Sequence, residues 1–366
     1  MPTLLDAVPQ ALQLCCLGSQ TQRSAEATHR LERLSASPAL DWEQVLLLAR
    51  HHGVMPLLYR TFRTVSDLVP AEVLTALAED YHANAHFAML LAQEACRLFG
   101  AFGAAGVEAV PFKGIVLAQW AYGNLTYRTA GDLDILVAPD DFGAAEAVIR
   151  SLSYEPDADP TGWRKRWYLW SQHEFPYLRP EEGFKIDLHT ALSARRFGQG
   201  VPASALQARS TPVQVHRALL PCLSAPDWLY VLTMHAAKHR WESLKWVCDV
   251  AEVFRAHPNL PVDAILTRAE QQGAGRMLRL GVLLAHGLLA APVPAPLLRP
   301  ARQDVRAQAL ARAAVAELST PSNPWPSERA RFAFHYHVRD SMGEKLRYVV
   351  GSAAWYALRR ATGARH

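Results

Sequence analysis

Arg128-Thr129-Ala130-Gly131-Asp132-Leu133-Asp134-Ile135-Leu136-Val137 is the stretch that decides the fold. Asp132 to Val137 reads as a short apolar strand entered through Gly131, and successive side chains of a strand leave opposite faces. Asp132 and Asp134 therefore share one face, while Leu133 and Ile135 turn to the core. Two aspartates so placed can share metal ions. Carboxylates are ligands that Mg²⁺ prefers, and a pair of such ions can clamp the attacking and leaving oxygens of an in-line phosphoryl displacement. A bare Asp-x-Asp also occurs as a solvated turn, so its surroundings must carry the reading.

Downstream, Phe184, Ile186 and Leu188 alternate with Lys185, Asp187 and His189, which predicts a half-buried strand with three polar groups on one face. If this strand lies beside the first, Asp187 is the third carboxylate of the site. Glu174 to Leu178 is another strand candidate, joined to it by the turn-rich Arg179-Pro180-Glu181-Glu182-Gly183. Upstream, Val107 to Phe112 reads as a strand. Pro111-Phe112-Lys113-Gly114 then opens a helix over Ile115 to Tyr122, a junction where free backbone N–H groups and the helix dipole can receive phosphates. Lys113 can add a charge there, and Arg128 can fork onto triphosphate oxygens. The plain alternatives are a solvated strand end for Lys113 and an ion pair with Asp132 for Arg128.

Around this α+β core, a small mixed sheet with helices, the pattern is helical on both sides. Asp41-Trp42-Glu43 starts one early helix, with Asp41 as its N-cap, and another begins near Pro56. Apolar residues recur at threes and fours from Ala71 to Phe102, and Gly100 to Gly106 predicts a break. Pro139 to Leu152 reads as a helix. After Pro202, Leu229 to Phe254 and Ala264 to Leu289 read as strong helical segments, and Pro292, Pro294, Pro296 and Pro300 read as a linker. The organisation expected is an N-terminal helical region (1–81), a catalytic core (82–195), a helical domain packing on it (196–300) and a helical C-terminal tail (301–366).

Composition narrows the class. The 366 residues, half of them hydrophobic, can bury a sizeable core. Lys and Arg outnumber Asp and Glu by 38 to 34, which permits a polyanionic partner without demanding one. Five scattered cysteines without CxxC spacing suggest neither a disulfide framework nor a zinc knuckle, and they fit a reducing cytoplasm. The N-terminus has no signal-peptide pattern, and the apolar stretch from Leu278 to Leu298 holds Arg279, His286 and three prolines, so no membrane span is expected.

Taken together, Phe112-Lys113-Gly114, Tyr122-Gly123, Arg128 to Val137 and Ile186-Asp187-Leu188-His189 resemble the bacterial family called uncharacterised nucleotidyltransferases, of the DNA polymerase β-like superfamily. The likeness extends to Asp41-Trp42-Glu43, to His51-His52-Gly53-Val54-Met55-Pro56-Leu57-Leu58-Tyr59, and to His235-Ala236-Ala237-Lys238-His239-Arg240-Trp241 with Leu244-Lys245-Trp246 and Asp249, covering roughly residues 40–255. The resemblance implies that Asp132 and Asp134 hold two Mg²⁺ ions, with Mn²⁺ as an alternative. Asp187 would ligate the catalytic ion and help deprotonate an acceptor hydroxyl, which attacks the α-phosphate of a nucleoside triphosphate such as ATP as pyrophosphate leaves. Many superfamily members carry Gly-Ser at the phosphate loop, where this chain has Lys113-Gly114-Ile115. The nucleotide contacts expected are Lys113, Gly114, Arg128, Gly131, His189, Lys238 and His239.

Other signals are secondary. His235 and His239 share a helix face but lack the Glu of HExxH, so that helix is expected to pack over the sheet, where Lys238, His239 or Lys245 can touch nucleotide or acceptor. His173-Glu174 can add an acid or base. Trp163, Arg164, Lys165, Arg166, Trp167 and Trp170 form a basic aromatic cluster able to cradle nucleic acid, or an amphipathic surface segment. The function expected is transfer of a nucleoside monophosphate to a small molecule, peptide, protein or RNA, with small molecule or peptide favoured. The alternatives are a catalytically degenerate binding or regulatory protein and a toxin-like tRNA nucleotidyltransferase.

Overall fold

The computed structural model describes residues 4–158, 173–181, 183–192, 200–320 and 327–362, so the basic aromatic cluster at 163–170 lies outside the described residues. Five strands, β1 (Ala109–Pro111), β2 (Leu133–Val137), β3 (Glu155–Pro156), β4 (Glu174–Arg179) and β5 (Phe184–His189), form one sheet in the order β1-β2-β5-β4-β3. β2 and β5 are parallel and every other pair is antiparallel, giving the mixed sheet that the sequence predicts. A parallel pair needs a long crossover, and here the helix Phe142–Ser151 with β3 and β4 lies between the two strands in the chain. Register follows from burial. Leu133, Ile135, Ile186 and Leu188 are all inside, and a slip of one residue would turn the aspartates into the core.

The N-terminal third is helical, as its periodicity predicts: Gln10–Gly18, Ala25–Ser35, Trp42–His51 and Met55–Phe62. Asp41 caps the third of these by accepting the Gln44 N–H at 2.9 Å. The helix Ala71–Ala104 then runs through Gly100 and Gly103, where composition predicts a break. Leu98 and Phe102 stay on its buried side, and that packing outweighs the intrinsic cost of glycine. In the last third of this helix, the buried Glu94 accepts from Arg97, Tyr154 and Arg179, tying it to the far edge of the sheet.

Past residue 200 the structure departs from the sequence pattern in four places. A hairpin, β6 (Thr211–Val215) with β7 (Ala218–Cys222), stands where only helix is expected; Pro212 faces Pro221 across it, and proline is tolerated because both strands are edges. The segment from Leu229 to Phe254 is two helices, Ala225–Lys238 and Leu244–Ala256, broken by Arg240 and Trp241, both at positive φ. Likewise Val262–Gln271 and Gly275–Leu289 divide the next one. The proline-rich linker contains a helix, Ala295–Gln303, since Pro294 and Pro296 occupy its start, where an amide hydrogen is not needed. Val305–Leu318, Glu328–His337 and Met342–Thr362 complete the chain. Among the described residues no helix is long and apolar enough to cross a membrane, and all five cysteines are free.

Candidate active site

The parallel register sets Asp134 directly opposite Asp187 on adjacent strands, with Asp132 just ahead of β2. This is the three-carboxylate neighbourhood that the alternation of both strands predicts. Asp134 is buried. Its Oδ1 accepts a hydrogen bond from Lys113 Nζ at 2.8 Å and faces His189 Nε2 at 3.1 Å. Burial pushes the Asp134 pKa up, but the Lys113 ammonium and the His189 hydrogen bond together outweigh it and hold the carboxyl well below the usual range. Asp132 and Asp187 move the other way, each raised chiefly by burial, with Asp134 adding repulsion at Asp132 and Lys185 opposing the rise at Asp187.

Lys185 is a member of the site that the sequence pattern places on the polar face without giving it a role. Its Nζ donates to Asp187 Oδ2 at 2.7 Å and stands 4.0 Å from Asp132 Oδ2. Two ammonium groups thus neutralise the carboxylates, and among the described residues no group of three or more His, Cys, Asp or Glu side chains converges as a metal cage. Asp187 Oδ1 is nonetheless buried with no hydrogen-bond partner. Buried carboxylate oxygens are costly unless satisfied, and the carboxylate oxygens on this face are ligands that Mg²⁺ takes.

The loop leading into the helix Gly114–Tyr122 closes the other side. Lys113 sits at φ 68°, a region costly for a residue with a Cβ, and the helix that follows has no side-chain N-cap. A Cβ at Gly114 would lie 3.4 Å from the Asp132 carbonyl, so this helix start is held against the strand entrance. A Cβ at Gly131 would meet nothing within 4 Å, which leaves the space beside Asp132 uncrowded.

The carboxylates and this helix start are accompanied by a match of the family model described as "Uncharacterised nucleotidyltransferase" over residues 38–290, more than half of the chain. The chain belongs to that nucleotidyltransferase family. Among solved structures, it is similar to that titled "Solution Structure of Antibiotic-Resistance Factor ANT(2'')-Ia Reveals Substrate-Regulated Conformation Dynamics", at 12% identity and TM-score 0.35 over 49% of this chain and 89% of that one. No curated protein matches.

Within this nucleotidyltransferase-family chain the remaining expected residues take separate places. Arg128 does not form the ion pair with Asp132 that is the plain alternative for it. It is buried and forks onto Asp249, Nε to Oδ1 at 2.7 Å and Nη2 to Oδ2 at 2.9 Å, while Tyr122 donates to the same Oδ1 at 2.8 Å. The fork therefore joins the strand entrance to the helix Leu244–Ala256. Lys238 stands 4.0 Å from Glu174, whose strand partner is His189. His239 lies against His235 and Trp246, at ring-centroid distances of 4.8 and 5.2 Å. Burial first, and nearby cations second, lower His235, and they lower His239 to about 3, so both rings are neutral at pH 7.

Lys245 completes the cationic side. Its stem packs on Gly53, where a Cβ would meet Lys245 Cδ at 3.4 Å. Among the described residues its ammonium has no hydrogen-bond or ion-pair partner. Burial, then Arg128, lowers its pKa to about 8, with Asp249 and Asp132 offsetting part of the fall and Lys113 adding to it.

Proposed function

We propose that the protein transfers a nucleoside monophosphate from a nucleoside triphosphate to a hydroxyl acceptor, using Mg²⁺ held by Asp132, Asp134 and Asp187. The observation that carries this reading is the pairing of Asp134 with Asp187 across parallel strands, with Asp132 two residues away and one Asp187 oxygen buried without a partner. Divalent ions bound there would supply Lewis-acid stabilisation of the phosphoryl oxygens and of the leaving pyrophosphate. Lys113 and Lys185, now seated on carboxylates, are counter-ions that can pass to phosphate oxygens as the nucleotide enters. Asp187 accepts the acceptor's proton as the hydroxyl oxygen bonds to the α-phosphorus and the bridging oxygen to the β-phosphorus departs.

The triphosphate would lie between the start of the helix Gly114–Tyr122 and the cationic residues Lys113, Lys238 and Lys245, with the neutral His239 ring, and also His189, as hydrogen-bonding groups. Arg128 acts one step back, holding the loop through Asp249. The free cysteines fit action in a reducing cytoplasm. A small molecule or peptide is the favoured acceptor, with RNA the other candidate.

Incubation with α-labelled triphosphates, Mg²⁺ and cell extract tests the proposal. Label should appear on an acceptor with the native protein and vanish with Asp132→Ala and with Asp134→Ala. Labelling that survives both substitutions sinks it. A second reading, a nucleotide-binding regulator, draws on the two lysines that already occupy the carboxylates. Calorimetry separates the two, because a regulator binds triphosphate tightly and labels nothing.

A further inference from the structure

Each of the two facing carboxylates is only half engaged. Asp134 accepts twice on Oδ1, from Lys113 and from His189, while its Oδ2 makes no hydrogen bond or ion pair among the described residues. Asp187 gives Oδ2 to Lys185 and keeps Oδ1 buried without a partner. Asp134 and Asp187 are register partners, so their two unused oxygens belong to side chains that stand side by side on one face of the sheet.

The three groups that hold the used oxygens are not equivalent. Lys113 sits in a loop at φ 68°, Lys185 is 38% exposed along its side chain, and each ammonium ends a stem with four rotatable bonds. His189 has two side-chain torsions and is buried. Its backbone pairs with Leu136 on one side and Glu174 on the other, and its ring meets that of Phe112 edge to face, with centroids 4.8 Å apart. Phe112 is itself fixed, its N–H donating to the Asp134 carbonyl at 3.0 Å. With Asp134 ionised, the 3.1 Å contact assigns the His189 hydrogen to Nε2 as donor. Nδ1 is buried without a partner, so this is the ring's single hydrogen bond among the described residues.

We propose that His189 is a positioning residue whose Nε2–H pins the Asp134 carboxylate by Oδ1, leaving Oδ2 available to a divalent ion, and keeps that hold after Lys113 has passed to a phosphate. The inference rests on the Mg²⁺ reading above and adds to His189 a duty toward the metal ligand. A carboxylate free to rotate must be ordered when the ion binds, whereas one already pinned through its other oxygen is not, and partners of this kind are commonly worth tenfold or more in metal affinity. The competing duty, filling space beside Phe112, needs an apolar body and no donor.

Calorimetry with Mn²⁺ and the full chain, without nucleotide, tests this, reading the binding that Asp134→Ala abolishes. His189→Gln keeps a donor that reaches as far as Nε2, and His189→Leu keeps the bulk and loses the donor. The glutamine variant is expected to bind Mn²⁺ within about threefold of the native chain, and the leucine variant about tenfold or more weakly. A role in packing alone predicts the reverse order. If the leucine variant does not fold, His189→Asn replaces it, because its amide falls one bond short of Asp134 and should bind as weakly. Native-like Mn²⁺ affinity in a variant without the donor overturns the inference and leaves the metal site standing. A glutamine variant as weak as the leucine or asparagine one overturns it as well, since the donor would then not be what matters. Absence of Mn²⁺ binding by the native chain overturns the metal reading itself, and this inference with it.

Discussion

Lys245 is a cation placed where three effects oppose it. It lies in the first turn of Leu244–Ala256, at the positive end of the helix dipole; it is largely out of water; and Arg128 is near enough to lower its pKa to about 8. Asp249 and Asp132 offset this only in part, and neither is hydrogen-bonded or ion-paired to it. A residue that costs the free protein and gains only from an anion is best explained by the anion. Lys245→Met is therefore expected to raise the melting temperature of the free protein while weakening triphosphate binding about tenfold or more. Differential scanning fluorimetry with and without nucleotide reads both quantities, and a variant that is stabilised by nucleotide as much as the native chain removes Lys245 from the site. Arg128 behaves oppositely. Its fork on Asp249 is buried, so Arg128→Ala strands a charge and should cost about 3–5 kcal/mol of stability in denaturant titration; a loss below about 1 kcal/mol would mean that the pair is as weak as an exposed one.

At the scale of elements, the sheet and its carboxylates were legible because period-two alternation in Asp132–Val137 and Phe184–His189 sets which side chains share a face. What alternation cannot say is which strand lies beside which, and so the pairing of Asp134 with Asp187 needed the fold. The hairpin from Thr211 to Cys222 was hidden because Pro212 and Pro221 argue against strand and its turn, His216-Arg217, is not a residue pair that announces one. The partner of Arg128 was hidden for a different reason: Asp249 is far away in sequence on a helix, and no local pattern links them. Gly53 shows the same limit. It sits at φ +67, its carbonyl accepts from Thr129 Oγ1 at 3.1 Å, and a Cβ there would stand 2.9 Å from that hydroxyl. Gly53→Ala is expected to cost about 1–2 kcal/mol and to loosen the contact between the N-terminal helices and the loop before Asp132. Amide exchange should speed up at Thr129 and Lys245; unchanged exchange there would show that the turn is not what holds them.

The whole molecule is stitched together by histidines that must stay neutral. His52, fully buried, faces the Leu318 carbonyl through Nε2 at 2.9 Å and takes the Leu244 N–H on Nδ1 at 3.5 Å, which assigns the ring as the neutral Nε2–H form. It joins the N-terminal helices to Leu244–Ala256 and to the end of Val305–Leu318. Burial lowers its pKa to about 4 despite the Leu318 hydrogen bond, and burial likewise lowers His335, which links the tail to Lys238, to about 4. A histidine with a folded pKa below its unfolded value of about 6.5 binds more protons when unfolded, so stability rises with pH across that interval. The contribution is complete above about pH 6.5 and is lost as pH falls toward 4. For His52 alone the loss between pH 7 and 5 is about 2 kcal/mol. Carboxylates with ordinary or lowered pKa stay ionised over most of this window, so a fall in unfolding free energy from pH 7 to 5 reports the histidines. His52→Gln keeps a donor for Leu318 and an acceptor for Leu244 without a titrating ring. It should lower stability at pH 7 and flatten the profile between pH 7 and 5 by that amount. A profile as steep as the native one would place the acid sensitivity elsewhere.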